Sequence, residues 1–267
     1  MINQLEKIIS QKRREIANLQ ARLLSQPENT IGKILRGEIN YSLQKSFKKS
    51  LRQQDLAVIA EIKRKSPSKG YLAAISDPID LAKNYLAGNA NALSILTDEI
   101  FFSGNINDLS SVSVALSQEK VPILRKDFII DEVQIAEAIF AGANAILAIT
   151  TVLGKKLKDI LNSARNLGIE VVVEVHSIAE LDLALHYGAE IIGINNRNLK
   201  TFAVDTQHAL KIRPFIPESI ITIAESGINT PQIAQQYRHA GFDAVLIGEA
   251  LVTSNNPAQF IQECRHE

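Results

Sequence analysis

With a single cysteine, Cys264, the chain can form no intramolecular disulfide, which suits a reducing compartment and sets a cytoplasmic location as the expectation. Neither sign of charge predominates: Lys and Arg together number 29, as do Asp and Glu. No global field therefore draws the protein to nucleic acid or to a membrane surface, and an anion must be held by a local site. A long apolar run is missing too. The most apolar stretch, 138–154, is interrupted by Gly142 and Asn144 and reads as a helix end feeding a buried strand rather than a membrane span. The first 24 residues are rich in Lys, Arg, Gln and Glu and lack the apolar core of a signal peptide.

What is present suits a large packed core: 46% of residues are hydrophobic and 22% charged, which excludes a disordered chain. Ile2, Leu5, Ile8, Ile9, Ile16, Leu19 and Leu23 recur at mostly helical spacing and predict an extra helix packed on the domain, with Gln11 to Glu15 as its solvated face. Pro27 ends that helix, and a connector with one more short helix runs to about residue 54. From Leu56 onward short apolar runs alternate with longer amphipathic segments. Eight runs are candidate strands: 57–62, 92–96, 121–124, 145–149, 170–175, 191–194, 220–224 and 244–247. Such alternation predicts parallel βαβ units buried on both faces, and eight strands close a barrel. Four helix ends share one pattern around Gly88, Gly142, Gly188 and Gly241, each read as a left-handed capping glycine before the second, fourth, sixth and eighth strands. An open flavodoxin-like or Rossmann sheet is the alternative, but no GxGxxG opens the first βα unit. The expected architecture is α/β: a single (βα)8 TIM-barrel domain over 1–267, with 1–54 as an N-terminal helical extension and 55–267 as the barrel.

In such barrels the chemistry lies where strands end, and polar residues concentrate there. Glu61 and Lys63 alternate onto one side of the first strand, facing the interior, either as an internal salt bridge or as working groups. The loop after them, Arg64 to Gly70, is basic and holds Ser66 and Pro67; it is a solvated turn or a wrap for an anion. At the end of the third strand, alternation points Lys126 inward and Arg125 outward. A partly buried lysine among cations is expected to have a lowered pKa suited to acid catalysis, and a Schiff-base role is the alternative. Glu174 ends the fifth strand as a candidate base. His176, a lone histidine after a strand, is read as structural. Asn195 faces inward from the sixth strand, and the Arg197 fork can reach a carboxylate or phosphate. The last two strands lead into Glu225-Ser226-Gly227 and Gly248-Glu249, small turns whose backbone N–H groups, with a short helix from Glu249, suit a phosphate.

In order and spacing, VIAEIKRKSPSKG (58–70), ALSILTDEIFFSG (92–104), PILRKDFIID (122–131), EVVVEVHS, GINNRNL, IAESGI and VLIGEAL resemble the indole-3-glycerol-phosphate synthase family over essentially the whole chain. The resemblance implies a cofactor-free and metal-free enzyme of tryptophan biosynthesis. Its substrate is 1-(2-carboxyphenylamino)-1-deoxyribulose 5-phosphate, its products indole-3-glycerol phosphate, carbon dioxide and water. It implies Lys126 as general acid, Lys63 as the lysine near the substrate carboxylate, and Glu174 as the carboxylate that steers the amine and acts as base. Glu61, Asn195, Arg197 and Ser226 match supporting polar residues, and Ser66, Gly227, Gly248 and the Glu249 backbone match the phosphate cradle. Phe102, Phe128, Pro67 and Leu147 match the apolar pocket for the aromatic ring. Two departures stand out. There is no tryptophan, so an aromatic contact that some relatives make from the extension must be replaced. Glu249 also follows Gly248 where some members carry Ser.

Phosphoribosylanthranilate isomerase, another sugar-phosphate barrel, wants a cysteine and an aspartate as its acid–base pair, and Cys264 lies far from any strand end. A non-catalytic barrel binding an anionic metabolite has no need for Glu61, Lys63, Lys126 and Glu174 in one mouth. The expected partner is a small anionic sugar phosphate, with other tryptophan-pathway enzymes as candidate protein partners. No long exposed apolar stripe is evident, so a monomer is expected.

Overall fold

The computed structural model describes residues 4–42, 44–199 and 201–265. Eight parallel strands close into a barrel: β1 (Ala57–Ile62), β2 (Ala92–Leu96), β3 (Ile123–Lys126), β4 (Ala145–Ile149), β5 (Glu170–Val175), β6 (Ile191–Asn195), β7 (Ile221–Glu225) and β8 (Ala244–Ile247). The ring closes between β1 and β8, where Val58 lies opposite Val245. Strand alternation divides the apolar residues into two cores. Ile59, Leu124, Leu147, Val172, Ile223 and Leu246 fill the interior with Phe47 and Leu51. Val58, Ile146, Val173, Ile192 and Val245 pack outward beneath the helices. The helix carrying the two plug residues, Phe47–Leu51, is tied to the N-terminal end of β5, because Glu170 accepts from Ser46 Oγ at 2.8 Å and from the Lys48 backbone N–H at 2.9 Å.

Three strands depart from the expected bounds. The third begins at Ile123 rather than at Val121, since Pro122 has no N–H to give to a ladder. Strands β6 and β7 each run one residue further, to Asn195 and Glu225, so their last inward side chains are polar. The connector holds two short helices, Thr30–Leu35 and Phe47–Leu51, where one is expected from the sequence.

The capping pattern holds at Gly142, Gly188 and Gly241, all at positive φ, but not at Gly88. There the left-handed residue is Asn89, φ 63°. Gly88 is required for a different reason: a Cβ would lie 2.6 Å from the Ala258 carbonyl oxygen of the last helix.

The N-terminal helix α1 (Gln4–Ser25) packs on the barrel through Ile8, Ile16 and Leu19; Ile2 lies outside the described residues. The expectation of a solvated face over 11–15 fails at Lys12, which is 2% exposed. It sits four residues from both Ile8 and Ile16, so helical geometry puts it on the buried stripe. Its ammonium is paired with Glu15 at 2.8 Å and with Asp98 and Asp127, each at 2.9 Å. Burial disfavours the charge, but those three carboxylates outweigh it and hold Lys12 above the ordinary lysine range. Helix α1 is thereby clamped to the loops after β2 and β3.

Candidate active site

The inward side chains at the C-terminal ends of the strands form one polar layer. Register carries it around the ring: Glu61 lies opposite Ser94, Ile149 opposite Glu174, Glu174 opposite Gly193, and Asn195 opposite Glu225. Above it opens a cavity of about 870 Å³, and every site position singled out in the sequence lines it.

Lys126 stands at its centre. Its Nζ is 3.1 Å from Glu174 Oε2 and 3.0 Å from Glu225 Oε2. Arg125 points the other way, to Thr97, Asp127 and Glu137 behind the strand, as strand alternation requires of the two residues. The expected lowering of the lysine pKa does not occur. Burial does oppose the charge, but Glu225, Glu174 and Glu61 outweigh it and hold Lys126 well above its usual value. The neighbours of the ammonium are anions, not cations, so Lys126 remains protonated until an oxygen of alkoxide basicity develops beside it. Lys63 is paired with Glu61 at 2.7 Å, and both line the cavity, so the pair is internal and also open to a ligand.

The two carboxylates on Lys126 differ. For Glu174, burial works against ionisation, yet Lys126, His176 and Asn195 together hold its pKa below the ordinary glutamate value. For Glu225, burial dominates, Lys126 opposes it, and Glu174 and Glu61 add repulsion, so the carboxyl is pushed up to about 7. Two carboxyl groups on one lysine are thus driven apart in acidity, the arrangement that separates acid and base roles in one site.

The rest of the cavity is divided by polarity. Phe102 and Phe128 stand with ring centroids 6.2 Å apart, inclined at 42°, and share the cavity wall with Pro67, Leu147 and, from α1, Leu5 and Ile8. Turns after the last two strands also line it. Ser226 holds a left-handed conformation, φ 67°, and is followed by Gly227 at φ 83°; the Ser226 carbonyl accepts from Asn196 Nδ2 at 2.9 Å. Gly248 is pressed against the ion pair: a Cβ there would sit 2.3 Å from Glu61 Oε1 and 2.9 Å from Lys63 Nζ. The next residues form a short helix, Glu249–Val252, with no side-chain cap. The Glu249 carboxylate is paired with Lys69 at 2.5 Å, and both residues line the cavity. Arg197 donates to Ser68 Oγ at 3.0 Å and to the Phe202 carbonyl at 3.1 Å, which ties the loop after β6 to the loop after β1.

Sequence reasoning misses Glu225, although the residue lies within the IAESGI segment. A signal is present: Ile221, Ile223 and Glu225 alternate as Val172 and Glu174 do. It misses Gly193, whose absent side chain makes room for Glu225; a Cβ would meet Glu225 Oε1 at 2.2 Å. It also misses the α1 residues that wall the cavity, because nothing local relates residues 5 and 8 to strand ends more than fifty positions away.

A parallel barrel whose strand ends gather a buried lysine and opposed carboxylates over an open cavity is the architecture of a (βα)8-barrel enzyme. The fold is shared with solved structures of low sequence identity. A 3-hexulose-6-phosphate synthase from Salmonella typhimurium matches with a TM-score of 0.63 at 13% identity, over 78% of this chain and 96% of that one. Thiamine phosphate pyrophosphorylase from Pyrococcus furiosus gives 0.60 at 14%, over 80% and 95%. Sequence relatives are more specific. The family model for indole-3-glycerol phosphate synthase matches residues 5–264. An indole-3-glycerol phosphate synthase from Chlorobium luteolum is 44% identical over 253 residues, 94% of this chain and 93% of that protein. Another, from Mycobacterium sp. strain KMS, is 46% identical over 215 residues, 80% and 78% of the two chains. The chain belongs to the indole-3-glycerol phosphate synthase family, the carboxy-lyases of tryptophan biosynthesis. No helix among the described residues is long and apolar enough to cross a membrane.

Proposed function

We propose that the cavity converts 1-(2-carboxyphenylamino)-1-deoxyribulose 5-phosphate into indole-3-glycerol phosphate with Lys126 as the general acid. The observation that carries this reading is the position of Lys126 Nζ, fixed between two carboxylates in a cavity lined by both aromatic rings and glycine turns. The aromatic ring of the substrate fits the recess of Phe102, Phe128, Pro67 and Leu147. Its carboxylate faces Lys63. Its phosphate takes the backbone N–H groups at Gly227, Gly248 and Glu249, with Ser66, Ser226 and Arg197 alongside.

In the first step the ring carbon that bears the carboxylate attacks the ketone carbon. The oxygen gains negative charge and takes the proton of Lys126. The ammonium is held in place before the charge appears, so it stabilises the transition state more than the ground state. The carboxylate then leaves as carbon dioxide, and the electron pair of its bond restores the aromatic ring. Finally Glu174 removes a proton as the hydroxyl leaves as water, with Lys63 serving proton transfer. Glu61 and Asn195 hold Lys63 and Glu174 in place.

The remaining parts of the reading are a single-domain monomer in the cytoplasm, with other tryptophan-pathway enzymes as candidate partners. Supporting the single domain, α1 is locked to the barrel by Lys12. The test is product formation: the substrate added to purified protein should yield indole fluorescence and one carbon dioxide per indole. Isomerisation of phosphoribosylanthranilate without decarboxylation would overturn the assignment.

A further inference from the structure

The reaction takes up protons that the site itself cannot keep. The ketone oxygen departs as water and so gains two protons, while formation of the indole double bond releases one. Each turnover therefore draws one proton net from solvent. Glu174 and Glu225 are each 1% exposed and line the cavity, so a substrate seated there as proposed would stand between them and solvent on that side. A route behind the base would keep proton exchange open.

Behind Glu174 stands His176, which does not line the cavity. Its Nε2 lies 3.3 Å from Glu174 Oε1, and apart from that carboxylate this buried nitrogen has no partner among the described residues. Its Nδ1 is 3.5 Å from Glu180 Oε2 and 3.4 Å from Thr151 Oγ1. Glu180 is fixed for this role, accepting from the His176 backbone N–H and from Thr151 Oγ1, both at 2.7 Å. Its side chain is 23% exposed, against 2% for that of Glu174, so the chain of groups leads from the buried base to water.

We propose that His176 relays protons between Glu174 and the solvent-facing Glu180, and that it is a positioning and relay residue acting through Glu174. In the inward direction Glu180 passes a proton to Nδ1, Nε2 gives its proton to Glu174, and Glu174 hands it on to Lys126 3.1 Å away, replacing the proton given to the ketone oxygen and freeing Glu174 as base again; the outward direction reverses the transfers through the ring. No atom is consumed, and the net proton comes from water. The groups facing the ring and its backbone are few. They are Glu174 on its own strand, Thr151 from Thr150–Leu153 and Glu180 from Ile178–His186, with Glu225 acting across from β7. His208 from Gln207–Ile212 is hydrogen-bonded to the His176 carbonyl at 3.0 Å. Burial disfavours the imidazolium, but Glu180, Glu174 and Glu225 outweigh it and raise the His176 pKa. The imidazolium is therefore favoured relative to that of a free imidazole, which suits a relay between carboxylates.

The proposal rests on Glu174 serving as the base. His176→Ala should lower kcat about tenfold to a hundredfold with KM within about twofold, and added imidazole should restore much of the loss. A fall that imidazole does not touch, or no fall, overturns the relay. Wild-type turnover in the same assay tests the reaction itself, so the two failures are distinguishable. Should wild type not turn over, the imidazole 15N titration of His176 still decides. Glu174→Gln should lower its midpoint by about one pH unit, and an unmoved midpoint overturns the coupling.

Discussion

Glu225 makes its surroundings measurable through pH. Its carboxyl is pushed up from an ordinary 4.5 to about 7, chiefly by burial, against the pull of Lys126 3.0 Å away. The folded value lies above the unfolded one, so the folded state holds an extra proton between the two. Stability from this group is fully present below the unfolded value and is lost as pH rises through the folded one. At about 1.4 kcal/mol for each pH unit that separates the two values, wild type gives up roughly 2–3 kcal/mol between pH 5 and pH 8 on this account. Glu225→Gln removes the titration while keeping an oxygen for Lys126. In a chain of this size about 1 kcal/mol moves the thermal midpoint by roughly 2–4 °C. Wild type should therefore lose roughly 5–10 °C relative to the variant when both are moved from pH 5 to pH 8. The assay is thermal unfolding by circular dichroism at the two pH values. Parallel changes in the two proteins would refute the reasoning, because they would mean that Glu225 titrates as an ordinary surface carboxylate.

Other consequences concern the clamp and the packing under the site. Lys12→Met leaves Asp98 buried without its cation and Asp127 with Arg125 alone, and unfolding at pH 7 should show a loss of about 3–5 kcal/mol; a loss below about 1 kcal/mol would contradict the clamp. In wild type, burial works against ionisation of Asp127, and Arg125, Lys12 and Thr97 outweigh it to hold its pKa below 3.8. Its contribution is present above the unfolded value and lost as pH falls through the folded one, so the gap between wild type and Lys12→Met should narrow in acid. Gly193→Ala puts a methyl against Glu225 and should cost about 1–3 kcal/mol. Combined with Glu225→Ala the methyl has room, and the double variant should show a coupling energy of similar size; strict additivity would contradict the contact.

The barrel is legible in the sequence because its signal is periodic. Apolar runs separated by helix-length segments identify eight strands without any long-range information, and alternation alone places Lys126 inward and Arg125 outward. The errors share one cause, namely that partners from distant segments decide them. Charge alone assigns Lys12 to solvent, though its spacing from Ile8 and Ile16 puts it on the buried face; only Asp98 and Asp127 explain how it can be there. The acidity of Lys126 is misjudged because the neighbouring motifs in sequence are basic, whereas its neighbours in space are Glu174 and Glu225 from two later strands of the ring. At Gly88 the local pattern suggests a left-handed cap, but the requirement comes from the last helix passing overhead. His176 reads as a structural residue from its flanks; its partners Glu174 and Glu180 are close in sequence, but the turn from strand end to helix that brings them onto the ring is not legible there.

The central claim is that Lys126 supplies the acid for ring closure. Its most direct test is single-turnover conversion of 1-(2-carboxyphenylamino)-1-deoxyribulose 5-phosphate by wild type and by Lys126→Ala, with folding of both checked by circular dichroism. The account predicts rapid appearance of indole fluorescence with wild type and a rate lower by about a thousandfold or more with the variant, since both a proton and a fixed positive charge are lost. Comparable rates for the two proteins would contradict it and return the acid role to another group in the mouth.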